Sequence, residues 1–168
     1  MAQVSDSNLY TDDAGILDAQ DACVVLVRTE WNARFVDALE AGCRKALGDR
    51  HIGSVTTVTV PGAVEIPFAI RAYWESAKYW NHRPNAFIAL GCVIRGDTPH
   101  FDYVCQSVTQ GVTHLNLTLP VPTVYGILTV LDEQQALDRL GGPHGHKGEE
   151  AALTALKMIV LQKTLRRL

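Results

Sequence analysis

His100 stands just after a polar turn, and this is where the sequence most clearly offers chemistry. The apolar run that ends near Ile94 predicts a buried strand before the turn, and Pro99 suits the first position of a helix, where its missing amide is no loss. Asp97 or Thr98 can cap that helix. Because a helix start attracts phosphate and histidine exchanges protons near neutral pH, the segment predicts proton transfer beside a phosphorylated substrate. A capped turn without a ligand is the alternative.

Two further groups of candidate residues follow predicted strands. Trp31 and Asn32 come directly after the first strand, where an indole can stack on a heteroaromatic ring or simply pack on the next helix. Glu65 follows the second strand within a Pro-Gly-Ala-Val-Glu segment. Its carboxylate can accept hydrogen bonds from ligand hydroxyls, or it can favour the dipole of a first helical turn. Residue type alone leaves both alternatives open.

The second half of the chain adds charged and aromatic candidates. Arg139 closes a short predicted helix, where a cation is favourable without any ligand, whereas Lys147 opens the last helix, where a cation opposes the dipole. The placement of Lys147 indicates an anionic or polar partner. Tyr125 lies in the fourth predicted strand and fits either the core or a site. His144 and His146 have no third ligand in a metal-binding pattern, so a solvated loop is expected there.

Strand and helix patterns alternate along the chain and predict the frame that holds these residues. β-Branched or apolar runs predict strands at 23–27, 54–60, up to Ile94, and at 121–130, and helical spacing predicts helices at 31–47, 64–79, 99–116, 132–140 and 148–167. Alternation of this kind predicts a three-layer αβα sandwich around a four-stranded parallel sheet. Ligands of such sheets bind at the carboxyl ends of the strands, where the candidate turns lie.

Composition excludes several classes of function. With 168 residues the chain fits one domain, predicted at residues 21–168 after a flexible polar arm at 1–20. Fifteen basic and 18 acidic residues give no field for nucleic acid or an anionic membrane, and no apolar run is long enough to span a bilayer. The four cysteines lack metal-ligand spacing, which predicts free thiols and a cytoplasmic location. Walker, dinucleotide-binding and nucleophile-elbow motifs are missing.

Taken together, these segments resemble the lumazine synthase family. The resemblance covers nearly the whole chain after about Asp21, in the order of the family and with similar gaps. It is carried by Trp31-Asn32, VPGAVEIP (60–67), ALGCVIRGDTPHFDYV (89–104), PVPTVYGILT (120–129), the 134–139 segment and HKGEEAA (146–152). The block at 89–104 together with VPGAVEIP is highly specific for this family.

The resemblance implies a flavodoxin-like fold assembled as a homopentamer or a multiple of it. It also implies condensation of 5-amino-6-ribitylaminouracil with 3,4-dihydroxy-2-butanone 4-phosphate to 6,7-dimethyl-8-ribityllumazine, a step of riboflavin biosynthesis, with no cofactor and no metal. The implied roles are stacking and substrate contact by Trp31 and Asn32, ribityl binding by Ala63, Val64 and Glu65, and pyrimidine recognition by the backbone of Cys92, Val93 and Ile94. Asp97, Thr98 and Arg139 would bind phosphate, His100 would shuttle protons, and Tyr125, Arg139 and Lys147 would come from the neighbouring subunit.

Two departures from the family pattern are visible. The first aromatic residue, often Phe, is Trp31, which keeps the ring face, and His146 stands where Asn is common, which would alter the local loop. The alternatives are a non-catalytic flavin-binding or shell-forming paralogue, and an archaeal-type riboflavin synthase of the same fold. Retention of Thr98, His100 and Arg139 counts against the paralogue, and the 89–104 block fits the riboflavin synthase poorly.

Overall fold

The structure, a computed structural model, describes residue 9 and residues 19–80 and 83–168. The predicted arm therefore lies outside the described residues except at Leu9, Ala19 and Gln20. Strands and helices alternate as predicted from Cys23 onward. The elements are β1 (Cys23–Thr29), α1 (Ala33–Gly48), β2 (Ser54–Val60), α2 (Ile66–Ser76), β3 (Ala86–Ile94), α3 (His100–Thr118), β4 (Thr123–Val130), α4 (Glu133–Leu137), β5 (Leu140–Gly142), β6 (Gly145–His146) and α5 (Lys147–Leu165). Short 3-10 helices at Ala63–Glu65 and Ala77–Tyr79 flank α2.

The main sheet has four parallel strands in the order β2-β1-β3-β4. This is the strand order of flavodoxin-like folds, which confirms the predicted class. β1 pairs with β3 only as far as Arg28 and Leu90, whereas the pairing of β3 with β4 continues to Ile94 and Val130. The last residues of β3 therefore extend beyond the end of β1 and leave one edge of their backbone uncovered.

Helices cover both faces of the sheet, as the three-layer prediction requires. Alternate residues of β1 enter opposite cores, with Val24 and Leu26 on one side and Val25 and Val27 on the other. The first core is closed by α1 and α5, and the second by α2 and α3. The unbroken apolar runs of β1 and β3 follow from this burial on two faces.

The helices α1 and α5 approach each other closely at Gly148. A Cβ at this position would collide with the carbonyl oxygen of Leu39 in α1. Glycine is thus required because the first turn of α5 lies against the backbone of α1. This contact fixes the position of Lys147, the residue before Gly148.

The segment between β4 and α5 corrects the sequence prediction. The predicted helix at 132–140 ends at Leu137, and the glycine-rich stretch read as a simple break forms the antiparallel hairpin β5–β6. Gly141 (φ 104°) and Gly145 (φ 73°) supply the left-handed backbone that this hairpin needs. Strands of two or three residues carry too little periodicity to be predicted.

The cysteines and the hydropathy of the helices agree with what the composition predicts. All four cysteines are free, with Cys23, Cys43 and Cys92 buried and Cys105 half-buried. Among the described residues, no helix is both long and apolar enough to cross a membrane.

Candidate active site

One cavity of about 540 Å³ opens at the carboxyl ends of β1, β2 and β3 and at the start of α3. It is lined by Thr29, Trp31, Asn32, Gly62, Ala63, Val64, Glu65, Cys92, Val93, Ile94, Gly96, Thr98, His100, Phe101 and Val104. Ten of the residues singled out from the sequence are in this set, and Asp97 lies between two of its members. The parallel sheet therefore brings together residues that are up to 69 positions apart, from Trp31 to His100.

Trp31 presents an aromatic face to this cavity. Its indole is 73% exposed, so it is available to a ligand rather than buried against α1. The backbone of Trp31 is held firmly: its amide donates to the Pro61 carbonyl (3.2 Å), and its carbonyl accepts from the Thr29 hydroxyl (3.2 Å). An exposed ring on a fixed backbone suits stacking on a planar ligand.

Glu65 ends the short 3-10 helix Ala63–Glu65 and lies beside Trp31. A Cβ added to Gly62 would be 2.9 Å from Glu65 Oε2 and 3.7 Å from Trp31 Cδ1. The absent side chain at Gly62 thus lets a ligand reach both the carboxylate and the ring.

The end of β3 forms the floor of the cavity. Asn32 Nδ2 donates to the Cys92 carbonyl oxygen at 2.8 Å, which ties the first loop to this strand. Burial, with a smaller contribution from the charge of Glu133, raises the pKa of the Cys92 thiol to about 11. Cys92 is therefore a neutral thiol at physiological pH and is a poor nucleophile.

The turn before α3 carries the predicted phosphate loop. The helix begins at His100, one residue later than predicted, and Pro99 takes the capping position itself, so it supplies no capping side chain. The Thr98 hydroxyl oxygen accepts a long hydrogen bond (3.4 Å) from the His100 amide. Asp97, Thr98 and His100 are all exposed, so their polar groups face solvent or a ligand.

Sequence reasoning missed a cation next to this turn. The Arg95 guanidinium lies 5.4 Å from the centroid of the Phe101 ring and 3.5 Å from Asp102 Oδ2. Phe101 is itself part of the cavity wall. Arg95 directly precedes Gly96. A cation next to a predicted phosphate-binding turn was the sequence feature that could have identified it.

Tyr125, Arg139 and Lys147 do not line this cavity. Tyr125 lies in β4, an edge strand of the sheet, and pairs with Ala89 of β3. Its hydroxyl oxygen accepts a hydrogen bond from Thr109 Oγ1 at 3.3 Å. Burial raises the pKa of Tyr125. At 37% exposure, it is more open than a plain core residue.

Arg139 and Lys147 flank the β5–β6 hairpin and are joined through it. The Lys147 amide donates to the Arg139 carbonyl at 2.9 Å. Arg139 Nη1 donates to the Gln135 carbonyl at 2.8 Å, which is the ordinary role of a cation after a helix. The anionic partner expected for Lys147 is Glu150 of the same helix, 2.6 Å away.

The His146 side chain has a structural role, and this corrects the prediction of a solvated loop at this residue. Its Nδ1 accepts from the Gly148 amide at 3.2 Å and so caps α5, and its ring fills the space left by Gly42. An Asn at this position would cap in the same way, so the departure from the family pattern leaves the helix start intact. Within the described residues no cluster of three or more His, Cys, Asp or Glu side chains could hold a metal ion.

Comparison with known proteins bears directly on this arrangement. Residues 21–163 match the profile of the 6,7-dimethyl-8-ribityllumazine synthase family. The chain belongs to this family. Proteins of that name from Parabacteroides distasonis (41% identity; 88% of this chain, 91% of the relative) and Bacteroides fragilis (45%; 80% and 92%) are similar to it. So is the one from Mycolicibacterium paratuberculosis (45%; 89% and 91%).

The match to the family is not confined to one motif. The matched region 21–163 contains the cavity residues and also Tyr125, Arg139 and Lys147. The two groups therefore belong to one domain of the family, although a single chain does not bring them into one cavity.

Proposed function

We propose that this protein catalyses the condensation of 5-amino-6-ribitylaminouracil with 3,4-dihydroxy-2-butanone 4-phosphate. The 5-amino group adds to the ketone with loss of water, phosphate leaves by β-elimination, and the ribitylamino nitrogen closes the second ring with loss of another water. The product is 6,7-dimethyl-8-ribityllumazine, a precursor of riboflavin. The observation that carries the proposal is the cavity itself. It combines the aromatic face of Trp31, the end of β3, the Glu65 carboxylate, the polar turn before α3 and His100.

The pyrimidine and its ribityl chain occupy the part of the cavity near β1 and β2 in this proposal. Trp31 stacks on the ring, and the backbone of Cys92–Ile94 reads its edge. Residues Ala63–Glu65 hold the ribityl hydroxyls, with the Glu65 carboxylate as an acceptor. The open space above Gly62 supports this, because it leads to the carboxylate and the indole together.

The phosphorylated ketone lies at the start of α3 in the same proposal. Amides at a helix start and the Thr98 hydroxyl stabilise the phosphate dianion as it departs. His100 is two residues further along the chain than Thr98 and transfers protons during addition and dehydration. Its exposure on the cavity wall supports access to both substrates.

The chemistry needs no cofactor, metal or covalent nucleophile. Amine addition to a ketone and β-elimination both require proton transfer and stabilisation of a leaving anion, which these side chains supply. Alignment of two substrates that already react with each other contributes much of the rate. The neutral Cys92 thiol fits a site without covalent catalysis.

The site is completed by a neighbouring subunit in a ring of five. Tyr125, Arg139 and Lys147 of one chain meet the cavity of the next, so that Arg139 completes the phosphate site and Lys147 and Tyr125 contact the pyrimidine. The apolar side chains left exposed on the described surface support assembly. They include Phe68 (78%), Tyr103 (68%), Leu117 (80%) and Leu131 (55%).

The reaction takes place in the cytoplasm in this proposal. Four free cysteines in a chain of this size support a reducing compartment. Fractionation of the native host with an antibody against the protein tests the location.

The direct test mixes the purified protein with both substrates and follows the absorbance and fluorescence of the lumazine. Product formation well above the uncatalysed rate is expected, and sedimentation velocity of the same sample is expected to give a pentamer or a multiple of it. Binding of the lumazine without turnover would instead support the non-catalytic paralogue. A monomer with full activity would contradict the shared site.

A further inference from the structure

The first loop of the sheet is tied to β3 by a side chain where the strands themselves no longer pair. β1 ends at Thr29, and its pairing with β3 stops at Leu90, but β3 runs on to Ile94. Asn32 Nδ2 donates to the Cys92 carbonyl at 2.8 Å. The amide of Asn32 thus takes the place that a backbone N–H of a longer β1 would occupy.

The backbone of Asn32 is arranged for this contact. The residue has left-handed dihedral angles (φ 57°, ψ 39°), which among non-glycine residues Asn tolerates best. Its carbonyl accepts from the amides of Phe35 (2.9 Å) and Val36 (3.2 Å) and so starts α1, while its side chain makes no cap for that helix. The side-chain amide is used across the gap to β3 instead.

Trp31 is held between these anchors. Its own amide and carbonyl are bonded to Pro61 and Thr29, and the next residue is fixed to Cys92. The indole itself is 73% exposed, so its position over the cavity depends on this backbone and not on packing of the ring. Loss of the bond from Asn32 would leave the C-terminal side of the loop held only by the start of α1.

We infer that Asn32 is a positioning residue that fixes the Trp31 ring over the end of β3, rather than a direct ligand of the substrate. The inference rests on the proposed function, since it assigns Trp31 to the pyrimidine. It also leaves fewer backbone groups at the end of β3 free to bind the pyrimidine ring. Arg95 donates to Val130 on the β4 side, so by strand alternation the backbone groups of Cys92 and Ile94 face the side of β1, where the Cys92 carbonyl is already bound by Asn32.

The test compares Asn32→Asp and Asn32→Gly with a matched control at the opposite end of the sheet. Both variants tolerate the left-handed backbone, but neither donates to the Cys92 carbonyl. Asn116 is the control, because its Nδ2 likewise donates to a carbonyl at a strand end, that of Thr123 (2.8 Å). Its Nδ2 also donates to the Val112 carbonyl (3.2 Å), so Asn116→Asp removes donor bonds of the same kind far from the cavity.

In the Asn32 variants we expect the KM for the aminopyrimidine to rise about tenfold, as loss of stacking geometry would cause, with kcat changed by less than about twofold. The KM for the phosphorylated ketone stays unchanged, and Asn116→Asp leaves all three parameters unchanged. Protein labelled with 5-fluorotryptophan reports the ring directly. The ¹⁹F signal of Trp31, assigned by its loss in Trp31→Phe, sharpens in both Asn32 variants because the ring gains motion.

Three results would overturn the inference. An unchanged pyrimidine KM would mean that Asn32 does not matter for that substrate, and an equal rise in Asn116→Asp would mean general loosening. A raised KM with an unchanged Trp31 signal would mean direct contact between Asn32 and the substrate. If wild-type protein formed no lumazine, the proposed function would fail, whereas the ¹⁹F signals of the ligand-free proteins would still test the bond to Cys92.

Discussion

The cavity at the end of β1–β3 and the β5–β6 hairpin are built in opposite ways. The cavity gathers residues from distant loops and leaves its chemical groups open, as the 73% exposure of Trp31 illustrates. The hairpin gathers residues that are close in sequence and gives their cationic side chains partners within the chain. Lys147 pairs with Glu150 at 2.6 Å, and Arg139 donates to Gln135 at 2.8 Å.

This difference indicates what each region is for. Open groups around a concave space suit a ligand. The bond from the Lys147 amide to the Arg139 carbonyl ties together the backbone on the two sides of the hairpin. In the proposed ring, the first region receives the substrates and the second completes it.

The largest effect is expected from His100, in the open region. His100→Ala should lower kcat about ten- to a hundredfold with little change in substrate affinity, because a proton shuttle acts in the transition state. Steady-state kinetics with each substrate varied in turn measure both parameters. Turnover at the wild-type rate near neutral pH would remove His100 from the mechanism.

Mixed rings test whether the two regions of one site come from different chains. His100→Ala and Arg139→Ala would be unfolded, mixed in equal amounts and refolded together. The assay uses a ketone concentration well below the KM, where each variant alone is expected to have little activity. A site is complete where an Arg139→Ala subunit supplies His100 and its neighbour supplies Arg139. Random mixing produces this arrangement at about one interface in four, so about a quarter of the wild-type activity should return.

The controls are each variant refolded alone and the two refolded separately and then combined. Because one heterologous contact generates every site of a ring, recovery requires only mixing of subunits. Mixed rings no more active than the average of the parents would place His100 and Arg139 in the same chain.

Substrate affinities should separate the two regions next. Arg139→Ala should raise the KM for the phosphorylated ketone about tenfold and spare the pyrimidine, because a guanidinium fork binds a phosphate dianion. Trp31→Ala should do the reverse, because it removes stacking and no charge. Initial rates over a grid of both substrate concentrations give the two KM values. Equal effects of both variants on both substrates would contradict this division.

The open region was largely predictable from sequence, because its residues follow strands that have a clear sequence pattern. Unbroken apolar runs marked β1 and β3, and a parallel sheet must place the loops after them at one edge. Knowing the strands therefore brought Trp31, Glu65 and His100 together. The role of Asn32 was not predictable, because its partner, Cys92, lies 60 residues away and beyond the end of β1.

The hairpin region was not predictable in the same way. Its strands have three and two residues, so no alternation of polar and apolar side chains could mark them. The unfavourable position of Lys147 at a helix start did indicate an anionic partner, and Glu150 is found there. The sequence pattern could not show that the partner lies within the same helix.

The smallest effect is expected from the pair that holds Lys147 in the hairpin region. Glu150→Gln should lower the free energy of unfolding by about 1–2 kcal/mol, because the Lys147 side chain is only 12% exposed and would lose its counter-charge in a partly dry site. The matched control is Asp49→Asn. Asp49 pairs with Lys45 at 3.0 Å, but these side chains are 57% and 66% exposed, so this change should cost less than about 0.5 kcal/mol.

Urea unfolding of the assembled proteins at equal subunit concentration measures both changes, because association contributes to stability. If Glu150→Gln cost no more than Asp49→Asn, Lys147 would not be held by its own chain in the assembled protein. The contrast between an open region and a region whose cations have partners in their own chain would then apply to the isolated chain only. A larger cost for Glu150→Gln would mean that Glu150 holds Lys147 at the start of α5 in the assembled protein as well as in the single chain.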